Sequence, residues 1–136
     1  MKLAKRARAT DKTRFAFVGK PFDWSTDATC IHLLHQHLRN MGHDAPDVPA
    51  FTTAIGAKRA LKRAGFDRLD QLLDSLLERI APAMMIVGDV GLMRGEDPFD
   101  AIVIHAGVGG KVLGWHPDAP TFANLVPLEF IGAWRA

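Results

Sequence analysis

At Pro82 the hydrophobic pattern changes period, and that change limits what the chain can fold into. Before it, apolar residues recur every three or four positions. Leu69, Leu72, Leu73, Leu76, Leu77 and Ile80 form a stripe that predicts a helix capped at Asp67 and stopped by Pro82. After it, short apolar runs are separated by glycine-bearing turns. A strand is expected within residues 85–93 and a turn over 94–98. Residues 100–105 are apolar enough for a central strand, 106–110 read as a hairpin turn, and 111–116 as its return strand. A loop over 116–120 and last strands at 125–127 and 130–134 complete the pattern. Helices first and an antiparallel sheet second define an α+β fold, with N-terminal helices packed on a C-terminal sheet.

Two further helices precede the leucine stripe. Over residues 29–41, Cys30, Ile31, Leu34, Leu38 and Met41 share one side with His37, while His32, Gln36, Arg39 and Asn40 share the other; Gly42 fits the position just past the helix end. Thr52 or Thr53 caps a helix bearing Ile55, Ala57, Ala60, Leu61 and Ala64, closed by Gly65. Lys58, Arg59, Lys62 and Arg63 form its outer face, and no aromatic residues interleave them, so a solvated face rather than a nucleic-acid partner is expected. Residues 14–18 alternate and read as a short strand. Lys2, Lys5, Arg6, Arg8, Lys12 and Arg14 make residues 1–14 a basic arm for an acidic surface or a partner subunit, ahead of one domain over 15–136.

At 136 residues, 48% hydrophobic and 24% charged, the chain is long enough for one domain with a sizeable core. The formal charge of +2 gives no separate case for nucleic acid. No membrane segment is expected, and the basic first residues lack the apolar core of a signal peptide. A single cysteine excludes an intrachain disulfide and fits a reducing cytoplasm.

That cysteine stands in the stretch 21–32, an aromatic loop running into a helix. With Asp27 as N-cap, Cys30 falls in the first turn, where free N–H groups and the helix dipole favour a thiolate. The alternative is a small buried hydrophobe. A cysteine hydrolase also needs an imidazole within reach and a group to orient it. His116 or His105 is the candidate base and Asp100 the candidate orienter, although Asp100 and His105 face opposite sides of a regular strand. His32, His35, His37 and His43 point in different directions and have no CxxC or HExxH framework, so neither a metal nor a cofactor is expected. Trp24 and Trp115 are expected in exposed loops that contact partners.

Residues 24–30, Trp-Ser-Thr-Asp-Ala-Thr-Cys, resemble the W-G-x-x-D-C motif of NlpC-like proteins from phage tail-gene clusters. Gly88-Asp89-Val90 resembles their G-D-[VL] strand, and residues 100–107 with 111–116 resemble the strand pair carrying their histidine and its orienting residue. The likeness spans residues 15–136. Ser25 replaces the glycine, and two residues separate Asp27 from Cys30. Without a gap Thr29 takes the nucleophile's place; a one-residue shift puts Cys30 there and keeps the helix stripe in phase. Asp100 or Ala101 stands where the strand-initial histidine belongs, and His116 matches the third position.

The resemblance implies a papain-like fold in which Ile31, Leu34 and Leu38 pack on Ile102, Ile104, Val112 and Leu113. It also implies a virion protein: a structural component of the phage tail tip, partnered by hub and distal tail proteins and without hydrolase activity. An active cysteine peptidase or amidase acting on peptidoglycan is the alternative.

Overall fold

A computed structural model describes residues 1–96, 99–117 and 119–136. Among them are four α-helices: α1 (Leu3–Phe17), α2 (Cys30–Asn40), α3 (Ala54–Arg63) and α4 (Leu69–Leu76). Six strands follow: β1 (Glu78–Ile80), β2 (Val90–Met93), β3 (Ala101–His105), β4 (Val112–His116), β5 (Ala119–Leu125) and β6 (Phe130–Arg135). They form one antiparallel sheet in the order β1-β6-β2-β3-β4-β5. The α+β class read from the pattern is therefore what the chain adopts.

Strand alternation divides the sheet into two faces. Val90, Leu92, Ile102, Ile104, Leu113, Trp115, Phe122 and Trp134 belong to one core with Cys30, Leu33, Leu34 and Leu38 of α2, Leu61 of α3, and Leu69 and Leu73 of α4. Each fully buried leucine contributes roughly 1.5–3 kcal/mol, so this layer dominates the packing. Val112 does not share that face. It is one residue from Leu113, points the other way, and packs with Met93 and Val103 against Leu125 and Phe130.

The basic N-terminal segment is not a separate arm. Residues 3–17 form α1, and Arg6, Ala9, Thr10, Thr13 and Phe17 are buried along it at helical spacing. This also replaces the strand expected over 14–18. Arg6 holds the helix down: its Nε donates to the Val87 carbonyl at 2.7 Å, Nη1 to the Ala136 carbonyl at 2.6 Å, and Nη2 pairs with Asp89. Asp89 is wholly buried, and its other oxygen accepts from the Ile86 N–H at 2.9 Å. Gly88 precedes it at φ +89°, where a Cβ would meet Met41 Cε at 3.0 Å and Thr10 Oγ1 at 3.1 Å. The Gly-Asp pair thus joins the start of β2 to α1 and to the last residue.

Three more expectations shift. The leucine stripe ends as a helix at Leu76, with Leu77 extended (φ −138°, ψ 159°). Residues 78–80 pair with Ala133, Trp134 and Arg135 of β6, which satisfies backbone groups that a longer helix would leave on the sheet edge unpaired. Gln71 Oε1 accepts from the N–H groups of Asp67 and Arg68 at 2.8 and 3.2 Å, so Gln71, not an Asp67 side chain, closes the start of α4. Finally, β5 takes in part of the expected 116–120 loop and ends at Leu125, leaving 126–129 between strands. Asp97 and Pro98 of the expected turn, and Asp118 of the expected loop, lie outside the described residues.

Candidate functional site

The stretch 21–29 folds back on itself before α2 begins. The Asp23 N–H donates to the Ala28 carbonyl at 3.0 Å, and Asp23 Oδ1 accepts from the Ser25 N–H at 2.9 Å and the Ser25 hydroxyl at 2.7 Å. Those two Ser25 bonds hold the Asp23 carboxyl below its ordinary value. With residues through Ala28 committed to this turn, Thr29 becomes the N-cap instead of Asp27; its hydroxyl accepts from the His32 N–H at 3.2 Å. Cys30 is then the first helical residue, two positions earlier in the helix than an Asp27 cap implies.

Cys30 lines a cavity of about 340 Å³. Asp100, just before β3, and His116, at the end of β4, line the same cavity; the two strands run antiparallel, so the start of one lies toward the end of the other. The register shift between Gly114 and His116 is where a side chain can be re-aimed off strict alternation. His105 does not line the cavity. It lies at the opposite end of β3, where Nδ1 accepts from the Gly107 N–H at 3.1 Å. Its pKa is lowered, first by burial, with Asp89 opposing. Three of the four candidate residues are thus gathered and one is excluded.

The thiol itself is ill placed for ionisation. Cys30 is only 5% exposed. Burial pushes its pKa from an ordinary 9.0 up to about 11, and the backbone N–H groups of Ile102, Cys30 and Ile31 offset only part of this. About one thiol in ten thousand would be ionised at pH 7. Helix N-terminus and burial pull in opposite directions here, and burial wins.

Thr29, the residue at the ungapped nucleophile position, makes its own polar chain. Its hydroxyl lies 2.8 Å from His32 Nδ1, and His32 Nε2 lies 3.5 Å from Asp27 Oδ1. Yet Thr29 is wholly buried, does not line the cavity, and already caps α2. The His32 pKa is lowered, first by burial, with Asp27 opposing. The arrangement fixes the helix start.

The side chains least anticipated are the cavity's aromatic walls. Trp24 is half-buried, stacked edge-on to Phe22 at 5.0 Å and tilted against Phe99 at 5.4 Å. Trp115 meets Phe22 at 5.4 Å and donates from Nε1 to the Lys20 carbonyl at 2.8 Å. Trp115 is 7% exposed on β4, not in an exposed loop. The Phe22 and Trp24 spacing was visible in the sequence, but nothing local linked them to Phe99 or Trp115. Among the described residues, no group of three or more His, Cys, Asp or Glu is placed to hold a metal ion. No helix among them is long and apolar enough to cross a membrane.

Fold and site together define an α+β protein with a helix-start cysteine facing the ends of two central strands. The chain belongs to the DUF6950 family, described as a domain of unknown function, which matches residues 1–136. No curated protein and no solved structure matches it.

Proposed function

We propose that this protein is a structural component of a bacteriophage tail tip, built on a degenerate NlpC-like, papain-like fold that no longer hydrolyses peptide bonds. The placement in a phage tail, with hub and distal tail proteins as partners, rests on the sequence resemblance. The loss of hydrolysis rests on the cysteine. One observation carries it: a buried Cys30 whose pKa is pushed up to about 11, in the position where a papain-like hydrolase needs a thiolate. The entry to β3 supports the same reading, because Asp100 or Ala101 stands where the resemblance expects the strand-initial histidine, and neither is an imidazole. The shared core supports the reading without showing that fold: Leu34 and Leu38 of the Cys30 helix are buried in one cluster with Ile102, Ile104 and Leu113.

Phage particles carrying Cys30→Ser test the proposal. The substituted protein should be found in purified tails, and infectivity should stay within about threefold of wild type. A loss of a hundredfold or more with the protein still incorporated would restore the peptidase reading. Absence of the wild-type protein from purified particles would remove the tail assignment.

A further inference from the structure

The Cys30 cavity has a charge that the rest of the chain lacks. The protein as a whole is basic, with 17 Lys and Arg against 15 Asp and Glu. Yet among the described residues lining the cavity there is no lysine or arginine, while Glu96 and Asp100 both line it. No salt bridge among the described residues neutralises either carboxylate; the Asp100 contact is a long one, 3.4 Å from the Gly95 N–H. Against these carboxylates stands the run of rings Trp115, Phe22, Trp24 and Phe99, each within 5.0–5.4 Å of the next. Aromatic faces carry negative electrostatic potential and attract cations without requiring a polar partner. Uncompensated carboxylates beside such faces select a positively charged group with an apolar stem.

We propose that this cavity is an anchoring site for a basic side chain, lysyl or arginyl, presented by a partner protein. The stem lies along the aromatic run and the cationic head meets Glu96 and Asp100. A volume of about 340 Å³ is ample for one extended side chain. The partner's being a tail protein rests on the function proposed above; the chemistry of the cavity does not.

Intrinsic tryptophan fluorescence and amide chemical-shift mapping on the full chain test it. The probes are N-acetyl-lysine methylamide, the neutral N-acetyl-norleucine methylamide and alaninamide, whose cation is the α-ammonium group. The lysine probe should bind at least tenfold more tightly than either of the others, with shifts centred on Trp24, Phe99 and Asp100. The pair of substitutions Glu96→Gln and Asp100→Asn, both at residues outside the core, should remove at least tenfold of that affinity while leaving the thermal unfolding midpoint in place. Equal binding of the norleucine probe, or no effect of removing both carboxylates, would overturn the proposal. Tighter binding of alaninamide would overturn it in favour of a free peptide amine. A lysine-selective cavity in a protein missing from the particle would uphold the site and reject the tail.

Discussion

Replacing Asp89 with alanine is expected to destabilise the protein by about 3–5 kcal/mol, the usual result of stranding one charge of a buried pair. Asp89 is fully buried and Arg6 nearly so. The carboxylate also accepts from the N–H groups of Ile86 at 2.9 Å and Ala136 at 3.1 Å. Arg135 Nε approaches it at 3.2 Å, close enough for ion pairing though not aligned as a hydrogen bond. One side chain therefore ties together α1, the start of β2 and the end of β6, so its loss is not local. Removing residues 1–14 should do similar damage, since it takes away Arg6 and Thr13 and exposes the face of α2 that α1 covers. Urea unfolding at neutral pH measures both. Breaking the exposed Arg14–Asp11 pair on the same helix should change stability by less than about 0.5 kcal/mol. An Asp89→Ala cost below 1 kcal/mol would contradict the structure.

Acidification between pH 6.5 and 4 is expected to remove about 3 kcal/mol through His37 alone. His37 is fully buried, with Nε2 donating to the Gly88 carbonyl at 2.8 Å and Nδ1 accepting from the Thr13 hydroxyl at 2.7 Å. Burial lowers its pKa from an ordinary 6.5 to about 4; the Gly88 carbonyl opposes this, and Arg6 adds to it. Because the folded value is depressed, the unfolded chain takes up the proton first. The stabilisation is complete above pH 6.5 and is lost as pH falls toward 4. Two and a half units at about 1.4 kcal/mol each give about 3.5 kcal/mol in all, of which roughly 3 kcal/mol is lost by pH 4, where the folded histidine is half protonated. His32 and His105, also lowered by burial, add to the slope in both proteins, so the difference between wild type and His37→Gln isolates this histidine. In His37→Gln, urea unfolding should show a much flatter dependence from pH 6.5 to 4.5. An equal slope in both proteins would place the proton elsewhere.

What could be read from the residues, and what could not, divides by the range of the interactions. The α2 stripe was legible because Leu34 and Leu38 repeat at helical spacing and their partners are apolar. The central strands were legible from alternation, although alternation also required Val112 and Leu113 to face opposite sides, which the expected packing overlooked. Helix α1 was silent because three of its five buried residues are Arg6, Thr10 and Thr13, so Ala9 and Phe17 alone make no hydrophobic period; what holds Arg6 is Asp89, 83 residues away. Strand β1 was hidden by the leucine stripe running into it, and its partner β6 lies at the far end of the chain. At the site, Cys30 at a helix start was readable, and so were the two strands whose ends carry Asp100 and His116; the choice between His105 and His116 was not. The ionisation state was not. A helix terminus contributes typically 0.3–1 kcal/mol toward the thiolate. The rise to about 11 corresponds to more than that in the other direction, and it comes from burial under strands seventy residues further on.

The absence of a thiolate is the claim on which the functional reading turns, and ultraviolet titration of the thiolate band in the folded protein tests it most directly. Cys30 is the single cysteine, so the signal needs no deconvolution from other thiols. With the folded state monitored in parallel by circular dichroism, no thiolate should form below pH 9, and iodoacetamide should label the protein more slowly than a free thiol of pKa about 8.5. A titration midpoint below pH 7, shifted upward by His116→Ala, would show an activated cysteine–histidine pair and contradict the account.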